Sequence, residues 1–343
     1  MSRSRWVVAL ALAALPFVAH VLADGAPAGQ SDAARVSRAS TWTAPRTADG
    51  KPDLQGYWTN DSYTPLERPA ELAGKAFFTP QEAAAFVRAR LDRLEGQSRT
   101  DIHYDDAIWQ AENYSKQANL RTSLITNPAD GMIPPRTSEA VRREAARAAA
   151  RRGQGPSDSA QHRSLGERCI TWGNVGPPMV PPTYNANFQI VQTADHVSIR
   201  HEMMHDVRII YLDGRPHVDT GVRYLSGDSR GHWEGDTLVV DTTNFTNDTP
   251  FRGSPANTRQ DIFSSDRLHV VERFTRTDAN TIRYQFTVDD PGTWVAPWSG
   301  EMPIRSFVGP IYEYACHEGN YGLPNILSAA RAQEREAAAT STK

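Results

Sequence analysis

No Walker loop or Rossmann glycine fingerprint occurs in the 343 residues. Their absence argues against nucleotide and dinucleotide enzymes. No nucleotide cofactor is therefore expected. Basic runs are scarce: the formal net charge is −3, and no long basic stretch lies outside one helical segment. Nucleic acid is accordingly not expected as a partner. An uninterrupted membrane span is missing too. WVVALALAALPFV (Trp6 to Val18) is short of the ~20 apolar residues a span needs, and Pro16 and His20 interrupt it.

That apolar run has another reading. Arg3 and Arg5 precede it, and Val21-Leu22-Ala23 offers small residues for cleavage before Asp24. The pattern is that of a Sec-type signal peptide over 1–23, which places the mature chain in the periplasm or outside the cell. No cysteine lies near the cleavage position, so nothing suggests a lipid anchor. Export changes how the two cysteines read. In an oxidising compartment Cys169 and Cys316 are expected to pair, with thiol catalysis or metal binding as the lesser alternative.

Composition then divides the chain. Residues 24–50 are rich in Ala, Ser, Thr and Gly and read as a flexible arm. Residues 51–160 carry two helical patterns. In FFTPQEAAAFVRARLDRLEG, Thr79 and Glu82 form a capping box around Pro80, and Phe86, Val87, Leu91 and Leu94 recur at helical spacing before Gly96. SEAVRREAARAAARRGQG, residues 138–155, is arginine-rich, and reads as a solvated surface helix rather than an anion site. Residues 161–323 read as a β domain, and 324–343 as a terminal helix and tail.

Eight segments of the β domain read as strands: FQIVQT, HVSIRHEM, VRIIYL, GDTLVVDTTNF, LHVVERFTRT, TIRYQFTVDD, EMPIRSF and IYEYAC. Ile282, Tyr284, Phe286 and Val288 alternate cleanly, and residues 277–280 have hairpin-turn composition. Short strands at such spacing predict a mainly β fold with flanking helices, an antiparallel barrel of calycin-like type or a sandwich.

His201, Glu202 and His205 spell H-E-x-x-H, a metallopeptidase signature that needs one helix carrying both histidines. Here the five residues lie between two β segments, with Met204-His205-Asp206 short enough to be their turn. A peptidase is therefore the third-ranked reading. A weaker metal set would be His201, His205 and His217. Its alternative is that these histidines are separate and satisfied by ordinary hydrogen bonds.

Other candidates come from polar residues on apolar faces. Glu272 shares a face with Leu268, Val270 and Phe274, and a carboxylate there must be paired or carry a shifted pKa. Glu313 and His317 share a face with Ile311 and Ala315. With His201 and His205, these three form the candidate acid–base set. An ion pair at a barrel mouth is the equal alternative.

The strings DGKPDLQGYW, RTSLITNPADGMIPP, RCITWG, HEMMHDVRIIYLDGRPH, GDSRGHWEGDTLVVDTTNF and YEYACHEGNYGLPNIL carry a resemblance. They resemble a family of secreted bacterial proteins, frequent in acidobacteria and proteobacteria, to which no activity is assigned. The resemblance spans about Asp49 to Arg331 and implies export and one shared architecture. Gly56-Tyr57-Trp58 is also similar to the Gly-x-Trp string on the first lipocalin strand, as is Gly231-His232-Trp233. The expected function is binding of a small organic molecule in a barrel pocket, with lyase, isomerase or hydrolase chemistry as an extension. A non-catalytic envelope or carbohydrate-binding accessory module is the alternative.

Overall fold

Strand alternation dominates the structure, a computed structural model that describes residues 42–95, 120–172, 175–181, 185–247, 250–251 and 262–341. The expected signal peptide (1–23), most of the expected arm (24–50) and Gly96 fall outside these residues. The strands in chain order are β1 (Gly56–Thr59), β2 (Ile125–Asn127), β3 (Asn187–Gln192), β4 (His196–His201), β5 (Val207–Tyr211), β6 (Asp228–Glu234), β7 (Thr237–Thr243), β8 (Pro250–Phe251), β9 (Ile262–Phe263), β10 (His269–Asp278), β11 (Thr281–Asp289) and β12 (Trp298–Ser306). The helices are α1 (Pro80–Glu95), α2 (Ser138–Ala150) and α3 (Gly322–Ser341).

The main sheet runs β1-β3-β4-β5-β6-β7-β10-β11-β12, and β1 pairs back onto β12. The sheet is thus a closed nine-stranded barrel, and the sandwich alternative falls away. β2 adds to the outside of β12, and among the described residues β8 and β9 pair with each other in a separate two-stranded sheet. Every barrel pairing is antiparallel except β5–β6, which is parallel. The cause is the connection: residues 212–227 cross from one end of the barrel to the other instead of turning back.

Three expectations need correction. The barrel is not confined to 161–323, because its first strand is Gly56–Thr59, and hydrogen bonding to β3 and β12 sets its place. β6 (DSRGHWE) was not among the expected strands, since its only large inward residue is the half-buried Trp233. IYEYAC is not a strand at all. Its main-chain donors go to side chains of the β4–β5 turn, as described below.

Side chains alternate as a barrel requires. Ile282, Tyr284, Phe286 and Val288 on β11 are all buried, as are Val270 and Phe274 on β10. Rings stack through this core: Phe274 on Tyr284 at 5.0 Å, Tyr284 on Phe286 at 5.7 Å, and Phe286 edge-on to Trp298 at 5.8 Å. Two strand positions have no room for a side chain. A Cβ on Gly231 would lie 2.7 Å from Ile210 and Leu212, and one on Gly300 would overlap Phe286.

The N-terminus of α1 is capped as the sequence predicts. Thr79 Oγ1 accepts from Glu82 N at 3.3 Å, and Glu82 accepts in return from Thr79 N at 2.8 Å. Thr137 Oγ1 accepts from Ala140 N at 3.0 Å to start α2. α2 is more than a solvated helix. Arg143 donates to Gly292 O, Phe263 O and Thr293 Oγ1, tying it to the loop before β12 and to β9. Among the described residues no helix is long and apolar enough to cross a membrane.

Candidate functional site

β4 and β5 form an antiparallel hairpin, with Arg200 opposite Val207. HEMMH supplies its connection. His201 ends β4, and Met203–His205 form a single 3-10 turn with Met204 and His205 at φ of 61° and 52°. No α-helix passes through the motif, so its two histidines do not share a helix face. His201 points into the barrel and is buried, its ring 5.5 Å from that of Phe188. Glu202 and His205 face away, toward residues 311–316.

Those residues form an extended strap. Glu202 Oε2 accepts the Tyr312 N–H at 3.3 Å, and His205 Nε2 accepts the Tyr314 N–H at 2.9 Å. Glu202 Oε1 also accepts from Asn185 Nδ2 at 2.7 Å. Two residues on, Cys316 is bonded to Cys169, as expected from an oxidising compartment. Thr171 donates to Asp206 at 3.3 Å, so the same turn also holds the Cys169 side of the staple. Burial holds the Asp206 carboxyl above its ordinary range.

Inside the barrel lies a polar cluster that sequence reading half foresaw. Glu272 is fully buried and paired, as a carboxylate on an apolar face must be. Its partner is Arg208 of β5, which reaches both carboxylate oxygens. Tyr284 Oη donates to Glu272 Oε1 at 2.8 Å and accepts from Met179 N at 2.8 Å. Burial and the neighbouring carboxylate push the Tyr284 hydroxyl well above its usual range. Arg208 Nε donates to Ser229 Oγ at 3.1 Å, and Ser229 and Thr242 share a hydrogen bond of 3.0 Å.

The strand registers place His201 at the rim formed by the C-terminal ends of β1 and β4 and the N-terminal ends of β3 and β5. Asn60, directly after β1, donates to Met179 O at 3.1 Å there. Residues 175–181 thus pack into this end, with Val175, Met179 and Val180 buried. His201 Nε2 is buried and has no hydrogen-bond partner among the described residues. Burial, and secondarily the positive Arg208, lower the His201 pKa to about 3, so the ring is a neutral imidazole.

A second titratable cluster sits on the outside of the barrel near the same rim. His217, on the crossover between β5 and β6, bonds through Nδ1 to Asp228 and through Nε2 to Asp241, both at 2.9 Å. Asp241 Oδ2 also meets His269 Nε2 at 2.7 Å. The Asp241 carboxylate raises the His269 pKa, and His269 lowers that of Asp241.

The expected site residues are therefore dispersed. His201 and Glu272 are both inside the barrel, and Arg208, which pairs with Glu272, also acts on His201 through its charge. His205 serves the strap. Glu313 and His317 are exposed on the C-terminal segment and do not line the barrel. His201, His205 and His217 do not converge, and among the described residues no three His, Cys, Asp or Glu side chains stand where they could hold a metal ion. Arg208 was missed in the sequence. It alternates with Val207 and Ile209, whose apolar side chains face outward and are exposed. The signal that could have found it is the unpaired Glu272, which demanded an inward cation somewhere on a neighbouring face.

Comparison of the chain with protein-family models, with curated proteins and with solved structures finds no match. The fold and the site define it as a closed mixed β-barrel with an internal ion pair, a disulfide-stapled strap and a neutral imidazole buried at one rim.

Proposed function

We propose that the protein is exported and binds a small, neutral organic molecule at the His201 side of the buried Arg208–Glu272 pair. The observation that carries this reading is the buried His201 Nε2, without a partner among the described residues. An orphaned buried polar atom costs about 1–3 kcal/mol, which a ligand's hydrogen-bonding group would recover. The ligand's neutrality follows from the local charges. Arg208 is cancelled by Glu272 and His201 is uncharged, so an ionic ligand would bring an unpaired charge into an apolar interior. Export is supported by the basic, apolar and small-residue order of the N-terminus and by the disulfide, which persists in oxidising compartments. The destination is the periplasm or the exterior.

Transformation of the ligand is less well supported than binding. Glu272 is committed to Arg208 and Tyr284, and the acid–base partners imagined in Glu313 and His317 lie elsewhere. A non-catalytic accessory module is the second reading, favoured by the filled interior around Gly231 and Gly300. The test is solvent extraction of protein purified from an exporting host, followed by mass spectrometry. Wild type should yield a neutral organic molecule that His201→Phe protein lacks. An empty wild-type extract would favour the accessory module.

A further inference from the structure

The end of the barrel opposite His201 carries the β3–β4, β6–β7 and β10–β11 turns. Residues 42–54, which lead into β1, run across it. Arg46 pairs with Asp236 of the β6–β7 turn at 2.7 Å. Leu54 N donates to Gln192 Oε1, at the end of β3, at 3.1 Å. Asp53 O accepts from Arg276 Nη1, near the end of β10, at 2.7 Å. Between this end and His201 stand the Arg208–Glu272 pair and the stacked rings of Phe274 and Tyr284.

Two donors here lack acceptors. Trp233 is the inward residue of β6 nearest this end, and Arg276 follows Val270, Glu272 and Phe274 on the inward face of β10. Trp233 Nε1 and Arg276 Nε are both buried and have no hydrogen-bond partner among the described residues. Arg276 lacks a counter-ion as well. Its Nη1 and Nη2 donate to the carbonyls of Asp53 and Ala279 at 2.7 and 2.8 Å. Its guanidinium lies over the rings of Trp58 and Trp42 at 5.4 and 5.9 Å. The nearby carboxylates are engaged elsewhere: Asp53 accepts from Gln55 N, Asp236 pairs with Arg46, and Asp278 accepts from Asn280 N. Glu272, on the same inward face, has Arg208 to neutralise it, whereas among the described residues no carboxylate does this for Arg276.

We infer that this end of the barrel is a second binding site, and that its ligand is a small organic carboxylate. The ring contacts of Arg276 use none of its N–H groups, so its Nε edge is available. A carboxylate takes that edge side-on, through the Nε–H and one Nη N–H, in the two-bond geometry that guanidinium and carboxylate share. Trp233 Nε1–H gives a further bond to an acceptor oxygen of the same molecule. A cationic ligand is disfavoured, because both unpaired groups donate and one of them is positive. The rest of the molecule is apolar, since Leu54, Leu212 and Ile282 supply the walls. The charge balance is the reverse of that at His201, where the Arg208 charge is already cancelled. The two sites therefore select different ligands, and this one does not rest on the first.

The test is titration of the nitrogen-15-labelled protein with benzoate, read at the tryptophan indole N–H resonances by NMR. The spectrum of Trp233→Phe identifies the Trp233 signal. Benzoate should move that signal saturably, with a dissociation constant of about 1 mM or tighter. The neutral isostere benzamide should bind about tenfold more weakly or worse, the scale of one charge-assisted bond. Arg276→Met should abolish the benzoate response, and His201→Phe should leave it unchanged. No saturable movement of the Trp233 signal would overturn the site, as would equal binding of benzamide. A response that survives in Arg276→Met or disappears in His201→Phe would also overturn it. Should Arg276→Met fail to fold, Trp233→Phe decides by calorimetry. It keeps an apolar ring and removes only the donor, so benzoate should bind about fivefold more weakly, and unchanged affinity would overturn the site.

Discussion

His205 accepts the main-chain N–H of Tyr314 through Nε2 at 2.9 Å. Glu202, three residues earlier in the same turn, does the same for Tyr312. The donors are two apart because an extended strap presents alternate N–H groups to one side. The acceptors fit because the left-handed Met204 and His205 bend the turn toward the strap. The residues that spell a zinc motif thus work as a docking cleat for the C-terminal segment. In the double variant Glu202→Ala/His205→Ala, chymotryptic cleavage at Tyr312 and Tyr314 should accelerate about fivefold or more, at roughly 1 kcal/mol per lost bond. Cleavage at the wild-type rate would show that the strap is held by something else.

The second hold on that strap is Cys169–Cys316, which closes a loop of sequence separation 147. Constraining so long a loop contributes on the order of 4–5 kcal/mol in the chain-entropy model. Replacing both cysteines by serine should shift the urea midpoint downward by a large part of that amount. Unreduced wild-type protein should react with no alkylating agent. A midpoint that does not move would mean the unfolded chain is not expanded enough for the staple to matter.

Arg208 and Glu272 form a buried pair, and such pairs are costly to break from one side. Glu272→Gln leaves the guanidinium unneutralised and should destabilise by about 3–5 kcal/mol. Replacing both, Arg208→Met with Glu272→Leu, should cost far less than the two single changes together. A double-mutant cycle by chemical denaturation reads this out. A Glu272→Gln protein within about 1 kcal/mol of wild type would contradict the pairing.

His201 should make the protein acid-sensitive. Its folded pKa of about 3 lies below the unfolded value, so folding favours the neutral ring. The stability this contributes is fully present above the unfolded pKa of about 6.5 and drains away as pH falls toward the folded value. Over about pH 6 to pH 4, His201→Gln should therefore show a flatter stability profile than wild type, by a few kcal/mol at most. Parallel profiles would indicate that His201 is solvated.

Much of the fold was legible because barrel strands announce themselves by alternation. TIRYQFTVDD and LHVVERFTRT alternate cleanly, and both are strands over most of their length. GYWT and DSRGHWE were harder. One is four residues long, and the other places Gly231 where a large inward residue would be expected, since Ile210 and Leu212 already fill the space. IYEYAC imitates a strand by the same alternation, yet its partners are side chains rather than another strand, and no periodicity distinguishes the two. In the site, Glu272 was legible as a misplaced charge. Arg208 was not, because Val207 and Ile209 suggest that their own face points inward, whereas hairpin register turns that face to solvent.

The central claim is that a neutral organic molecule satisfies His201 Nε2 within the barrel. A high-resolution crystal structure of protein purified from an exporting host tests it most directly, through the density next to that atom. The account predicts a non-protein organic molecule with a polar atom about 2.7–3.2 Å from His201 Nε2 and its apolar part against the Phe188 ring. A protein atom or a single ordered water as the sole partner of that nitrogen would contradict it.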